Sequence, residues 1–372
     1  MSLRFNQLTM YTTNDCNLAC TYCFLPKEKR DAKPRVLREV LDMFFREYAE
    51  EPVRIRLFGT EPLLRWKLTK LVIEYTEKLA DEYGYRYNTG ITTNGVLLNK
   101  KRITYLTEHK VGLLCSIDGS KEIHDKYRVF PDGRGSYDIV ARNFKRWLKY
   151  NPYSPAAFTL VPEAIPRLER HIDALFQLGF KIVMLNKSLY PGPRYSSEEL
   201  ELLYLKLVTD VVDLIERKVD NATSVWIGFL TNYLWRRYRG KERKNKETTC
   251  GAGKKGIAAD IDGNFYVCHQ AVHYPRFRIG DYKKGIDEKK VRKWRSRRHI
   301  QCLYCPVPNC SPCDIRNYLQ YGDVGINDPI SCMYNIVVWR ASLAAEQRLK
   351  NEGYYTEYMR GLEELKRCVR GE

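Results

Sequence analysis

Three cysteines stand in Cys16-Asn17-Leu18-Ala19-Cys20-Thr21-Tyr22-Cys23, a C-x3-C-x2-C spacing with no Cys or His nearby to act as a fourth ligand. Three thiolates hold three corners of a four-iron cubane and leave one iron without a protein ligand. An open coordination position suits catalysis, whereas a structural site is normally closed. A second group lies far along the chain: Cys250, Cys268, Cys302, Cys305, Cys310, Cys313 and Cys332. Within it, Cys302-x2-Cys305 and Cys310-x2-Cys313 have the knuckle spacing of metal sites, whether zinc or iron–sulfur. Ten of the twelve cysteines fall into these two groups, and in a reducing compartment such grouping reads as metal ligation rather than disulfide pairing. Cys115 reads as a small core residue, and Cys368 has no partner at ligand spacing.

These side chains must be positioned by regular elements, and the chain supplies them. Strand patterns at Gln7 to Thr12, Val53 to Phe58, Arg86 to Thr93, Gly112 to Ile117, Ala156 to Val161 and Lys181 to Asn186 are each followed by a helix-length amphipathic segment. The first helix shows a stripe of Val36, Val40, Leu41, Phe44 and Tyr48, and the sixth opens on a Ser196/Glu199 capping box. Six β-α units predict an α/β fold, with a parallel sheet that is either an incomplete barrel or open. Ligands should then collect at the C-terminal ends of the strands, where the first cysteine loop falls. Beyond residue 220 the alternation fades into a cysteine-rich stretch with little apolar surface of its own, which needs metal to hold it together. Residues 336–368 return to helical spacing. The expected domains are 1–235, 236–335 and a helical segment 336–372.

The 372 residues are 44% apolar and 29% charged, which excludes disorder as the main state. No window approaches a membrane span, and Met1 to Asn6 lacks the apolar core of a signal peptide. A cytoplasmic location in a reducing or anaerobic setting is expected, with no membrane partner. Lys plus Arg exceed Asp plus Glu by 63 to 45, a formal +18. Metal-bound thiols are deprotonated, so three loaded clusters would lower that figure to about +13. Nucleic acid is therefore not the expected partner. The basic stretches 236–246 and 276–298 read as solvated faces.

The first cysteine loop, with Tyr22 just before its third cysteine, resembles that of the radical S-adenosylmethionine (SAM) superfamily. Further motifs follow in the family's order: Gly59-Thr60-Glu61-Pro62 after the second strand, Thr92-Thr93-Asn94-Gly95 after the third, and Ser116-Ile117-Asp118-Gly119 after the fourth. Thr60 replaces a glycine of the family pattern. His124 to Arg128 comes next. The resemblance implies a partial (β/α)6 barrel with a SAM-binding cluster on Cys16, Cys20 and Cys23. It also implies SAM contacts from Tyr22, Gly59, Thr60, Glu61, Thr92, Ser116 and Arg128, with Glu61 accepting from the methionine ammonium and Arg128 pairing with the carboxylate.

The second cysteine group resembles the SPASM extension of these enzymes, although the gaps of four and two residues flanking Cys310 are each one shorter than the family's. Gly263 holds the family's glycine position. By the family's interleaving, Cys250, Cys268 and Cys313 hold auxiliary cluster I. Cys302, Cys305, Cys310 and Cys332 hold auxiliary cluster II. Cluster I then lacks a fourth cysteine, and its last iron is open or bound by another group.

The resemblance further implies that an electron delivered to SAM releases methionine and a 5'-deoxyadenosyl radical, which takes hydrogen from an unactivated carbon. The auxiliary clusters offer an outlet for the second electron of an oxidation. SPASM enzymes act mostly on peptides or proteins, as do ribosomal-peptide maturases, which form thioether or carbon–carbon crosslinks, and anaerobic sulfatase-maturing enzymes. The latter place an Asp base after the cysteine that corresponds to Cys268, where this chain has His269, which argues against formylglycine formation. His269 is a candidate base or a hydrogen-bond donor beside a cluster ligand. The implied partners are a peptide or protein substrate and a low-potential electron donor such as ferredoxin or flavodoxin; with Cys16 close to Met1, a leader would be bound by a separate leader-binding protein, by the basic surface between 236 and 298, or not at all. A dehydrogenase of a small alcohol or sugar, an RNA-modifying enzyme and an iron–sulfur electron carrier are the competing readings.

Overall fold

The computed structural model describes residues 3–188, 192–242, 251–297, 299–310 and 312–370. They divide into two compact units, each assembled from separated stretches of chain: 1–19, 25–114 and 250–298 in the first, 20–24, 115–249 and 299–372 in the second.

In the first unit, β1 (Phe5–Met10), α1 (Pro34–Met43), β2 (Ala49–Leu57), α2 (Trp66–Tyr83), β3 (Tyr87–Thr93) and α3 (Lys100–Glu108) alternate along the chain. Val53, Ile55 and Leu57 of β2 are buried while Arg54 and Arg56 are not, the period of a strand covered on one face. Against it α1 buries Leu37, Val40 and Leu41. Pairing is parallel, with Met10 opposite Leu57 and Leu57 opposite Ile91. This register brings the C-terminal ends of three strands level, so the loops that follow them emerge side by side.

Strand β4 (Gly112–Ser116) carries the chain into the second unit. There α4 (Lys121–Tyr127), α5 (Tyr137–Leu148), β5 (Ala156–Leu160), α6 (Leu168–Gln177), β6 (Ile182–Lys187), α7 (Ser197–Val208), α8 (Asp210–Asp220), β7 (Trp226–Ile227) and α9 (Gly228–Tyr238) follow. Ser116 pairs with Ala157, Leu160 with Lys187 and Val183 with Ile227, all in parallel. Both hydrogen bonds of the Ser196/Glu199 capping box are formed at the start of α7. Thr209 ends that helix, and the apolar stripe resumes in α8 with Val211 and Leu214. The α/β class with a parallel sheet is as the sequence indicates.

The chain then returns to the first unit as β8 (Gly256–Ala259), β9 (Asn264–Tyr266), β10 (Arg278–Asp281), β11 (Gly285–Ile286) and α10 (Glu288–Arg295). The sequence indicates no strand here, yet β8 pairs parallel with β1, Met10 opposite Ala259, and β9 to β11 extend the sheet in antiparallel fashion. The signal is absent because Gly-Ile-Ala-Ala is short, and three of its four side chains are buried, so no polar–apolar alternation marks it. The second unit closes with α11 (Ile300–Leu303), α12 (Asp314–Tyr321), α13 (Pro329–Asn351) and α14 (Tyr355–Arg370). Among the described residues no helix is long and apolar enough to cross a membrane.

Candidate functional site

Of the residues expected to hold SAM and its cluster, the first unit contains Cys16, Gly59, Thr60, Glu61 and Thr92. Asp15 positions the start of the cysteine loop: its Oδ1 accepts from the Cys16 N–H at 2.8 Å, and its Oδ2 accepts from Arg65 at 3.0 Å. The Gly59-Thr60-Glu61 turn is joined to the same loop. Thr60 Oγ1 donates to the Thr13 carbonyl at 3.0 Å, and the Glu61 N–H to the Asp15 carbonyl at 3.2 Å. Gly59 has φ +130°, and a Cβ there would stand 2.5 Å from the Tyr11 ring, so only glycine fits.

Glu61 is fully buried. Its Oε1 accepts from the Leu63 N–H at 2.9 Å and the Thr93 hydroxyl at 2.8 Å, and its Oε2 from the Asn94 N–H at 2.8 Å. The carboxylate thus ties the end of β2 to the end of β3 with both oxygens. Burial pushes its pKa up to about 7 against those three donors. Asn94 continues the chain of contacts: its Nδ2 donates to Asn17 Oδ1 at 2.9 Å and approaches Cys16 Sγ at 3.8 Å. Thr92 is half-buried, on the strand face opposite Thr93.

The second unit contains Cys20, Tyr22, Cys23, Ser116 and Arg128. Arg128 grips Asp118 through two bonds, Nε to Oδ2 at 2.8 Å and Nη2 to Oδ1 at 3.0 Å. The Tyr22 hydroxyl also donates to Asp118 Oδ2, and the Thr159 N–H donates to Oδ1 at 2.8 Å. Arg128 lies 5.5 Å from the centre of the Tyr22 ring, which stacks on Tyr127 at 5.5 Å. The Thr21 N–H donates to the Tyr127 carbonyl at 3.0 Å, so this half of the cysteine loop is fastened to α4. His124 braces the pair from behind: its Nδ1 accepts from the Asp118 N–H at 3.2 Å, and its Nε2 meets Ser136 Oγ at 3.0 Å. Ser116 is half-buried at the end of β4, two residues before Asp118.

Five cysteines of the second group, Cys302, Cys305, Cys310, Cys313 and Cys332, line one cavity of about 420 Å3 within the second unit. Asn327 Nδ2 donates to Cys302 Sγ at 3.5 Å and Asn335 Nδ2 to Cys310 Sγ at 3.2 Å. Cys250 lies outside the described residues. Cys268 is half-buried in the first unit, two residues after β9, and Gly263 at the β8–β9 turn has φ +79° with the Tyr282 ring where a Cβ would fall. His269 packs edge-on against Phe58 at 4.6 Å, and its carbonyl accepts from the Tyr11 hydroxyl at 2.9 Å. Burial pushes its pKa down to about 4. Among the described residues, no three of His, Cys, Asp and Glu converge on a position for a single metal ion.

Residues 10–175 match the model of the radical SAM superfamily. This segment is a radical SAM domain. The protein is an enzyme, and the domain implies SAM and a four-iron cluster as its cofactors. Across most of the chain it is related to an uncharacterized protein of Archaeoglobus fulgidus, 26% identical over 88% of this chain and 79% of that one. It is also related to a cysteine-type anaerobic sulfatase-maturating enzyme of Clostridium perfringens strain 13, 23% identical over 81% and 84%. A similar enzyme of Clostridium novyi matches at 27% identity over 44% of this chain and 45% of its own length. Among solved structures, native anSMEcpe with bound AdoMet and Cp18Cys peptide superposes with a TM-score of 0.73 at 19% identity, over 93% of this chain and 98% of that one. Streptococcus suis SuiB bound to precursor peptide SuiA superposes at 0.64 and 16% identity, over 88% and 76%. These likenesses establish a shared fold.

Several residues of these networks carry no motif signal of their own. Asn94 and Asp118 lie inside the quoted tetrapeptides, where Asn and Asp also serve ordinary turns. Lys187, Arg316, Asn327 and Asn335 lie outside every motif, and only the tertiary arrangement shows that they face cysteines.

Proposed function

We propose that this enzyme oxidatively modifies a peptide or protein, forming a crosslink such as a thioether or a carbon–carbon bond. Cys16, Cys20 and Cys23 hold the SAM cluster in this reading, and the second cysteine group holds two auxiliary clusters. The observation that carries it is the five-cysteine cavity, a thiol-rich chamber whose lining includes none of Cys16, Cys20 and Cys23. A redox-neutral use of SAM needs no such chamber, whereas an oxidation must pass on one more electron after hydrogen is removed. Sulfatase maturation and precursor-peptide binding among the related proteins support a peptide substrate.

Bound here, SAM and its cluster would supply hydrogen abstraction from an unactivated carbon. The chain's own residues would hold SAM in place. Thr92 and Ser116 present hydroxyls, Tyr22 its ring, Gly59 and Thr60 present backbone, and Arg128 and Glu61 fix the loops that carry these groups. His269, neutral at pH 7 and bordering a cluster ligand, would pack and orient rather than exchange protons. A low-potential ferredoxin or flavodoxin would deliver the first electron.

Anaerobically reconstituted protein should bind about twelve irons per chain, and about four would overturn the auxiliary assignment. With Cys16, Cys20 and Cys23 replaced by Ala, about eight irons should remain and SAM cleavage should stop. Co-expression with a small peptide encoded beside the gene should give a product lighter by two hydrogens, and a product of unchanged mass would sink the oxidative reading.

A further inference from the structure

The cysteine cavity carries positive charge as well as sulfur. Lys187, the last residue of β6, and Arg316, three residues beyond Cys313 on α12, both line it. Arg316 is 7% exposed, and a single bond anchors it, Nη2 to the Ser188 carbonyl at 2.9 Å. Its Nε and Nη1 are buried with no acceptor. A buried guanidinium with two idle donors is costly unless an anion meets it. Lys187 Nζ makes two long contacts, 3.5 Å each to the Ser331 carbonyl and Asn335 Oδ1, and stands 5.5 Å from the centre of the Tyr334 ring.

The protein's own acid does not resolve this. Among the described residues Asp328 is the one carboxylate on the cavity wall. Its oxygens already accept from the Ser331 N–H, the Ser331 and Tyr321 hydroxyls and Arg194. A protonated thiol carries no charge that could offset the two cations. Metal-bound thiolates are deprotonated and would supply it. The donor set therefore fits a thiolate-bound iron–sulfur cluster, whose sulfurs are acceptors as well as anions.

Resting on the auxiliary-cluster reading above, we propose that Lys187 and Arg316 are positioning residues for the auxiliary cluster held in this five-cysteine cavity. In this proposal the idle Arg316 donors face cluster sulfur, and the two cations favour the reduced cluster. The step they bias is simple: the oxidised cluster takes one electron, delivered by the substrate radical during oxidation, and gains one unit of negative charge. Fixed positive charge in a poorly solvated cavity stabilises that extra charge and raises the reduction potential. Two cations on separate elements, one on a strand and one on a helix, would make this chamber the favoured resting place for the electron.

The test uses full-length protein with Cys16, Cys20 and Cys23 replaced by Ala, so that only auxiliary clusters are titrated. Redox titration followed by electron paramagnetic resonance should resolve two couples. Arg316→Met and Lys187→Met should each shift one of them, the same one, to lower potential with iron content unchanged. Arg316→Lys should restore most of the shift, which loss of packing alone would not do. If Arg316→Met loses iron, Lys187→Met decides. The proposal is overturned if neither couple moves in a variant that keeps its iron, or if Arg316→Lys shifts as far as Arg316→Met. Iron near four per chain in the protein with all its cysteines would instead overturn the auxiliary-cluster reading beneath it.

Discussion

Arg128 and Asp118 form a buried two-bond ion pair, with side chains 9% and 2% exposed. The same carboxylate receives the Tyr22 hydroxyl and the Thr159 N–H, so one acidic side chain connects the cysteine loop, α4 and β5. Removing only the cation leaves that charge buried and uncompensated, a loss of about 3–5 kcal/mol. Arg128→Met should lower the urea midpoint of the apoprotein far more than Arg134→Met, whose exposed pair with Asp132 contributes little. Similar midpoints for the two variants would contradict a structural role for the Asp118 pair.

Glu61 gives a pH signature. Its pKa is raised in the folded protein from 4.5 to about 7, burial being the largest cause. Between those values the folded state holds a proton that the unfolded chain has released. Its contribution to stability is therefore undiminished below pH 4.5, declines as pH rises, and levels off above about 7, a change of about 3 kcal/mol. Glu61→Gln should abolish that decline, as read by comparing chemical unfolding of both proteins across the interval. Parallel stability curves would show that Glu61 does not titrate there.

Asn94 connects the end of β3 to the cysteine loop through Asn17 and Cys16. Its loss removes a bond of roughly 1–1.5 kcal/mol from the loop's anchorage. With the SAM cluster on Cys16, Cys20 and Cys23 as proposed, Asn94→Ala should release its iron to a chelator about tenfold faster, while iron at the proposed auxiliary sites leaves at the unaltered rate. Uniform release from all clusters would point to general destabilisation instead.

Gly59 faces two constraints, a positive φ and the Tyr11 ring 2.5 Å from any Cβ. Gly59→Ala should destabilise the protein by about 2 kcal/mol or more. Gly84 also has positive φ, but nothing lies within 4 Å of a Cβ there, so Gly84→Ala isolates the cost of the backbone alone. A melting temperature for Gly59→Ala equal to that of Gly84→Ala would remove the steric part of the argument.

The strands from β1 to β6 are legible in sequence because each is a short apolar run bounded by a helical period, and their ends fall within a few residues of the expected positions. Pairings between distant positions are not legible in this way. Arg128 reads as a partner for the SAM carboxylate, and its bond to Asp118 emerges only when β4 and α4 are folded together. Thr92 and Thr93 are indistinguishable by type, and strand alternation sends Thr93 to Glu61. The positive charge at Lys187 and Arg316 lies in segments separated by 129 positions, with nothing local to mark either residue.

The parallel pairing of β1 with β8 has a consequence for biosynthesis. β1 is synthesised well before one of its two neighbours in the sheet, which begins at Gly256. At about 5–20 residues per second, that neighbour arrives on the order of tens of seconds later. Throughout that interval one side of β1 presents unpaired backbone donors and acceptors, the kind of edge that recruits stray strands. The first unit therefore depends, while nascent, on something to shield that edge, and a truncation that ends before residue 256 should aggregate even with all six β-α units present.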